Sequence, residues 1–91
     1  MDMNMFSLQG KVAWITGGSY GIGFAIAQAY ARAGAKVVFN DINQELVDKG
    51  LAAYREDGIE ARGYVCDVTD EAGVAELVTR IEQEVGTIDI L

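Results

Sequence analysis

The sequence contains no proline, no histidine and a single cysteine, Cys66. One thiol cannot form an intramolecular disulfide, and a chain without histidine has too few nitrogen and sulfur ligands for a zinc site. No base or cation is evident near Cys66, so we expect a small buried residue and not a reactive thiol. We therefore expect no metal site and no disulfide framework in this sequence.

Basic residues are also scarce. Seven Lys and Arg stand against fourteen Asp and Glu, which gives a formal net charge of -7. A surface of this sign repels nucleic-acid phosphates and anionic lipid headgroups. No apolar run reaches the roughly 18 residues of a membrane-spanning helix, and the start of the chain lacks the basic and apolar segments of a signal peptide. We expect no nucleic-acid partner, no membrane partner and a cytoplasmic location.

The residues that are present are typical of a folded globular protein, with 51% hydrophobic and 23% charged. Short apolar runs alternate with longer amphipathic segments. The runs predict strands at 11–16, 36–40 and 60–68, and a fourth beginning at 88–91. The segments between them predict helices at about 21–33, from Asn43 to about Gly58, and from Thr69 to about Val85, with Asn43 and Thr69 as N-caps.

Apolar residues recur every three or four positions in each predicted helix. They are Ile22, Ile26, Ala29 and Ala33 in the first, Val47, Leu51 and Tyr54 in the second, and Val74, Leu77, Val78, Ile81 and Val85 in the third. The connections are too long for hairpins and suit parallel crossovers. We therefore predict an α/β fold of the Rossmann type, a doubly wound parallel sheet with three βα units and the start of a fourth strand.

The stretch TGGSYGIG, residues 16–23, follows the first predicted strand. In an open parallel sheet, ligands bind beyond the carboxyl ends of the strands. Gly17, Gly21 and Gly23 suit a tight turn, close approach of a diphosphate to backbone N–H groups, and a close helix crossing, in that order. An ordinary turn without a ligand is the alternative. No Gly-Lys-Ser/Thr follows, so the stretch is not a P-loop.

The pattern Thr16-Gly17-x-x-x-Gly21-x-Gly23 resembles the cofactor motif of the short-chain dehydrogenase/reductase family. The lead FSLQGKVAWITGG, Asp41 after the second strand, CDVTD after the third and GTIDIL before the fourth also resemble that family. The resemblance implies that residues 1–91 are the N-terminal, cofactor-binding part of a single Rossmann domain. The catalytic half of that domain is then not in this sequence, and the domain is incomplete.

The resemblance also implies a nicotinamide dinucleotide site. Its residues would be Gly17, Ser19, Tyr20, Gly21, Ile22, Gly23, Asp41, Asp67 and Val68. Ser19 and Tyr20 would lie near the adenosine ribose and its phosphate, and Ile22 would give its backbone N–H to the diphosphate while its side chain packs. Asp67 and Val68 would meet the adenine ring. The alternatives are that Ser19 and Tyr20 are plain loop residues and that Asp67 caps a helix.

Asp41 favours NAD(H) over NADP(H). Its carboxylate can accept both hydroxyls of an adenosine ribose, whereas a 2′-phosphate would meet a like charge. At about 4 Å that repulsion is about 1 kcal/mol in water and ~4 kcal/mol at an intermediate dielectric. Ser19, Tyr20 and Ile42 supply no compensating positive charge. NADP(H) stays open, because Asp41 could instead turn outward and cap the next helix.

Hydride transfer in the resembled family needs a Ser and a Tyr-x-x-x-Lys pair, which we find nowhere in residues 1–91. We expect no catalytic residue here and no activity from these residues alone. The run from Ser19 to Tyr54 with GYVCDVTDE resembles the gluconate 5-dehydrogenases of the family, which implies a sugar-acid or polyol substrate and a homotetramer. A stand-alone dinucleotide-binding module is the alternative. The glycine spacing argues against a third candidate, an S-adenosylmethionine-dependent methyltransferase.

Overall fold

The computed structural model describes residues 7–90, in which three strands and three helices alternate. The strands are β1 (Val12–Thr16), β2 (Lys36–Asp41) and β3 (Ala61–Val65), and the helices are α1 (Gly21–Arg32), α2 (Gln44–Glu56) and α3 (Glu71–Glu84). The predicted α/β fold is confirmed. Phe6 of the family-like lead and Leu91 of the predicted fourth strand lie outside the described residues.

The strands form one parallel sheet in the order β1-β2-β3. Ile90 adds a parallel bridge to Ala13, in which the Ile90 carbonyl accepts from the Trp14 N–H and the Ile90 N–H donates to the Val12 carbonyl. This is the edge of β1 that β2 does not use, so the predicted fourth strand begins beside β1. The spatial order is therefore that of a Rossmann sheet, whose ligands bind where the order reverses, next to β1.

Helices cover both faces of the sheet, as a doubly wound fold requires. Side chains alternate along each strand, so one face carries Ala13, Ile15, Val37 and Phe39 and the other carries Val12, Trp14 and Val38. The first face packs against Ala27 of α1 and against Val47 and Tyr54 of α2. The second packs against Leu77 and Ile81 of α3. The apolar stripes predicted for the second and third helices are confirmed as their inward faces.

The stripe predicted for the first helix is not its buried face. Ile22 is 81% exposed and Ile26 is 43% exposed, whereas Ala27 is fully buried. The segment carries two apolar stripes, and the one with the smaller residue at its centre lets the helix approach the sheet more closely. The branched stripe instead lines an open groove of about 640 Å³ along β1.

The third strand is shorter than predicted, and its following helix begins differently. β3 ends at Val65, and the N-cap of α3 is Asp70, not Thr69. The Asp67 carboxylate accepts from both the N–H and the hydroxyl of Thr69, at 2.9 and 2.7 Å. The Thr69 hydroxyl is the donor in this turn, and no bond from an N–H of α3 to that hydroxyl is found within residues 7–90. Asn43, by contrast, caps α2 as predicted, accepting from the Leu46 N–H at 2.8 Å.

A buried amide links β1, β2 and the residue that follows β3. Asn40 is 2% exposed; its Oδ1 accepts from the Trp14 indole N–H at 2.8 Å, and its Nδ2 donates to the Cys66 carbonyl at 3.2 Å. Trp14 lies on β1, Asn40 on β2 and Cys66 directly after β3. Asn40 thereby helps to fix the three strands relative to one another, next to the glycine loop that follows β1.

We expect Asn40→Ala to lower the free energy of unfolding by about 2–5 kcal/mol. The substitution leaves the Trp14 indole N–H and the Cys66 carbonyl buried without these partners. Urea denaturation followed by fluorescence measures the loss. Gln44→Ala is the control, because it removes an exposed hydrogen bond to Asp48 and should change stability by about 0.5 kcal/mol or less. Equal losses in the two variants would contradict this role of Asn40.

Candidate functional site

The glycine loop between β1 and α1 depends on backbone conformations and contacts that side chains would prevent. Gly17 and Gly21 have φ of +65° and +64°, in the left-handed region that favours glycine. A Cβ on Gly23 would lie 2.5 Å from the Gly17 carbonyl oxygen. The close contact predicted for Gly23 is therefore with the loop backbone itself, and it holds the first turn of α1 against the loop.

The N-terminus of α1 is left open by its own sequence. Its N-cap residue, Tyr20, makes no side-chain capping bond, and the first turn contains no acidic residue. In contrast, α2 has the Asn43 cap and Glu45, and α3 has Glu71 in its first turn. The first N–H groups of a helix have no intrahelical acceptor and carry its positive partial charge. The loop and α1 together thus present donors suited to an anion.

A cleft of about 260 Å³ lies beside the loop, at the carboxyl ends of the three strands. It is lined by Thr16, Gly17, Asn40, Asp41, Ile42, Cys66, Asp67 and Val68. Four of the predicted site residues, Gly17, Asp41, Asp67 and Val68, therefore meet in one place. The other five, Ser19, Tyr20, Gly21, Ile22 and Gly23, lie on the adjoining loop and the first turn of α1.

Asp41 is at the end of β2, and one of its carboxylate oxygens is hydrogen-bonded whereas the other has no partner among the described residues. Oδ1 accepts from the Ile42 N–H at 2.9 Å. Oδ2 is buried and has no hydrogen-bond partner among the described residues. Asn43, not Asp41, caps α2, so the alternative in which Asp41 serves as a helix cap is wrong. An unpaired buried oxygen is costly, and a hydroxyl donor in the cleft would remove that cost.

Asp67 and Cys66 differ sharply in protonation. The hydroxyl and N–H of Thr69 hold the pKa of the Asp67 carboxyl below its usual value, so this exposed group is an anion at neutral pH. Burial, followed by the charges of Asp70 and Asp67, raises the pKa of the Cys66 thiol. Cys66 is buried, as predicted, and the raised pKa keeps it a neutral thiol. The alternative of Asp67 as a helix cap is wrong, since its bonds form the Thr69 turn.

The loop residues divide into one buried and two exposed side chains. Ser19 is 5% exposed, and its hydroxyl has no partner among the described residues. Tyr20 is 66% exposed. The Ile22 side chain is also exposed, so the expectation that it packs is wrong for the described part of the chain. Its place in the first turn still leaves its backbone N–H at the open end of α1.

A family model described as short chain dehydrogenase matches residues 11–91, nearly the whole chain. The chain belongs to the short-chain dehydrogenase family. Within residues 7–90, we find no group of three or more potential metal-ligating side chains. None of the helices in that range is both long and apolar enough to cross a bilayer.

Several of the short-chain dehydrogenases similar to this chain are named for sugar acids, and others for polyols, sorbose or a dihydroxybenzoate. A 2-dehydro-3-deoxy-D-gluconate 5-dehydrogenase from Formosa agariphila is 41% identical to this chain over the chain's full length. The match covers 35% of that protein. The crystal structure of 2-keto-3-deoxy-D-gluconate dehydrogenase from Streptococcus agalactiae matches 92% of this chain at 70% sequence identity, with a TM-score of 0.91. The match covers 32% of that protein. The structure of a gluconate 5-dehydrogenase from Burkholderia cenocepacia, solved with NADP and tartrate, matches 98% of this chain at 37% sequence identity, with a TM-score of 0.85. The match covers 35% of that protein. The chain thus spans about a third of the length of these relatives.

Two residues of α2 contact the glycine loop and support it, although the sequence analysis did not predict this role for them. The Tyr54 hydroxyl donates to the Gly18 carbonyl at 2.5 Å. A Cβ on Gly50 would lie 2.9 Å from the Ser19 Cα. Sequence reasoning treated Tyr54 as packing alone and overlooked Gly50. The signal was a glycine between Val47 and Tyr54 on the inward face of a helix, where glycine is unfavourable unless another backbone comes close.

Tyr54 also predicts a loss of stability in alkali. Burial raises the pKa of its phenol from 10.0 to about 12. A pKa that is higher in the folded state gives stability that is complete below pH 10 and declines as the pH rises toward 12. The difference in unfolding free energy between wild type and Tyr54→Phe should therefore shrink over this range. Urea denaturation at a series of pH values measures it, and a constant difference contradicts the assignment.

Proposed function

We propose that this chain supplies the dinucleotide site of an oxidoreductase that transfers hydride between a nicotinamide dinucleotide and a sugar acid. One observation carries the proposal. The open N-terminus of α1 and its glycine loop adjoin a cleft that contains Asp41 and Asp67, at the edge of the sheet where Rossmann folds bind dinucleotides.

The residues present fit the parts of a dinucleotide. The first-turn N–H groups of Gly21 and Ile22 suit the diphosphate, because they lack side-chain acceptors and lie at the positive end of α1. The unpaired Oδ2 of Asp41 suits an adenosine-ribose hydroxyl. Asp67 and Val68, across the cleft, suit the adenine ring. When bound, the dinucleotide supplies the hydride acceptor or donor.

We propose NAD(H) as the preferred dinucleotide. The Asp41 carboxylate borders the cleft, and its charge opposes a 2′-phosphate. Lys and Arg are absent from the residues that line this cleft. The Burkholderia relative was solved with NADP, so NADP(H) is the competing candidate in any titration.

We propose a hydroxy or keto sugar acid as the substrate, oxidised at a secondary alcohol to a ketone or reduced in the reverse direction. The hydride goes to the nicotinamide and the hydroxyl proton to a general base. The relatives named for 2-keto-3-deoxy-D-gluconate and gluconate support this class. The first substrates to test are 2-keto-3-deoxy-D-gluconate and the D-gluconate/5-keto-D-gluconate pair.

The catalytic Ser, Tyr and Lys would come from outside residues 1–91, in a full-length protein of the relatives' size. We propose that this protein is a cytoplasmic homotetramer and that residues 1–91 are inactive without the remainder. The stand-alone dinucleotide-binding module remains the alternative, and relatives about three times as long as this chain favour the enzyme.

The intact mass of the native protein and a titration with NADH and NADPH test the function together. Trp14, the one tryptophan in this sequence, lies in β1 and allows energy transfer to the nicotinamide to be followed by fluorescence. A chain of the relatives' length that binds NADH and oxidises a sugar acid is the expected result. A native 9.8 kDa chain that binds NADH without activity favours the module. Absence of dinucleotide binding overturns both.

A further inference from the structure

Helix α2 holds the Gly18–Ser19 peptide of the glycine loop from behind. The Tyr54 hydroxyl donates to the Gly18 carbonyl, and Tyr54 is fully buried. Its ring lies 4.6 Å from the ring of Phe24 on α1 and 5.1 Å from that of Phe39 on β2, measured between centroids. Because neighbours on two other elements fix the ring, the hydroxyl has one position and sets the direction of the carbonyl.

The same bond sets the direction of an N–H group. A trans peptide is planar, and its N–H points opposite to its C=O. Since the Gly18 carbonyl points toward Tyr54, the Ser19 N–H points away from α2. No hydrogen bond from this N–H to another backbone group is found within residues 7–90. The Ser19 N–H is therefore a donor without a backbone acceptor, and it lies in the loop just before the first turn of α1.

Close backbone contact reinforces the arrangement. A Cβ on Gly50 would lie 2.9 Å from the Ser19 Cα, so α2 approaches the loop as closely as a glycine allows. Ser19 therefore has little freedom to move toward α2, and its N–H stays on the outer side of the loop. Two contacts from one helix, a hydrogen bond and a backbone approach, thus act on one peptide.

We propose that Tyr54 is a positioning residue for dinucleotide binding, which turns the Ser19 N–H toward the ligand so that it donates to the phosphate nearest the adenosine. This rests on the proposed function, because it requires a dinucleotide in the glycine loop. Tyr54 does not touch the ligand and acts through the Gly18 carbonyl alone.

The test compares two ligands of the full-length protein, ADP-ribose and adenosine, in wild type and Tyr54→Phe. The variant should bind ADP-ribose roughly tenfold more weakly, since a donor to a charged group is misdirected. It should bind adenosine as wild type does, because adenosine carries no phosphate. Calorimetry for ADP-ribose and ligand-observed NMR for adenosine measure the two affinities.

Tyr64→Phe is the matched control. It also removes one tyrosine hydroxyl, which donates to Glu84 at 3.1 Å on the α3 face of the sheet, and both affinities should be unchanged. A purely structural role for Tyr54 predicts lower stability without any difference between the ligands. Loss of both affinities in Tyr54→Phe, or loss of neither, overturns the proposal while leaving the proposed function in place.

Gly50→Ala is a second variant, used if Tyr54→Phe does not fold. It keeps the phenol, and its Cβ would lie 2.9 Å from both the Ser19 Cα and the Phe39 Cε2, so it displaces Ser19 or the Phe39 ring that packs on Tyr54. It should therefore weaken ADP-ribose binding more than adenosine binding. A folded Gly50→Ala protein that binds ADP-ribose like wild type overturns the proposal. Wild-type protein that binds no ADP-ribose overturns the proposed function itself, and this inference with it.

Discussion

Gly23→Ala is expected to weaken dinucleotide binding by roughly a hundredfold or more, as the loss of two bonds to a charged phosphate predicts. The added methyl would lie 2.5 Å from the Gly17 carbonyl oxygen, a backbone atom that cannot rotate out of the way as a side chain can. The loop and the first turn of α1 must therefore separate, which displaces the N–H groups that we propose bind the diphosphate. Calorimetric titration of the full-length protein with NADH measures the loss.

Gly73→Ala provides the matched control for this variant. Gly73 is the third residue of α3, as Gly23 is the third residue of α1. A Cβ there would lie 2.7 Å from Oδ2 of Asp70, a side-chain atom that can rotate away. NADH affinity should therefore be unchanged. A folded Gly23→Ala protein with wild-type affinity would show that the diphosphate does not bind at this loop.

The architecture was predictable because it depends on short-range patterns. Alternating apolar runs and amphipathic segments predict the order of elements, and the Asn43 cap is readable from one residue and its position. The errors occur where two local readings compete. In α1 both apolar stripes have helical spacing, and only packing against the sheet selects Ala27 over Ile22 and Ile26. At Thr69 the residue belongs to the Asp67 turn, and the helix begins one residue later, after Asp70.

The geometry of the candidate site was predictable to the extent that it depends on glycine conformation and on the position of Asp41. Gly17 and Gly21 adopt conformations that few other residues tolerate, and Asp41 follows directly from the end of β2. The supporting residues were not predictable, because their roles are contacts between distant parts of the chain. Tyr54 reaches Gly18 across 36 positions, and Asn40 reaches Trp14 and Cys66 across 26 each. The spacing of apolar residues along the sequence does not indicate such pairs.

Asp41→Asn is expected to reduce the preference for NADH over NADPH by roughly tenfold to several hundredfold. The amide keeps the shape of the side chain and an oxygen for the Ile42 N–H, which Oδ1 now accepts at 2.9 Å. The substitution removes the negative charge that opposes a 2′-phosphate, and it replaces Oδ2, the oxygen that we propose accepts from the ribose, with an NH2 donor. Both changes lower the preference for NADH. The ratio of the two dissociation constants measures the change.

Asp48→Asn separates this local effect from the effect of net charge. It changes the charge of the chain by the same amount, but Asp48 is exposed on α2, bonded to Gln44, and does not line the cleft. The ratio should therefore be that of wild type. An unchanged ratio in Asp41→Asn, or a wild-type protein that prefers NADPH, would contradict the role of Asp41. The specificity would then depend on residues other than this carboxylate.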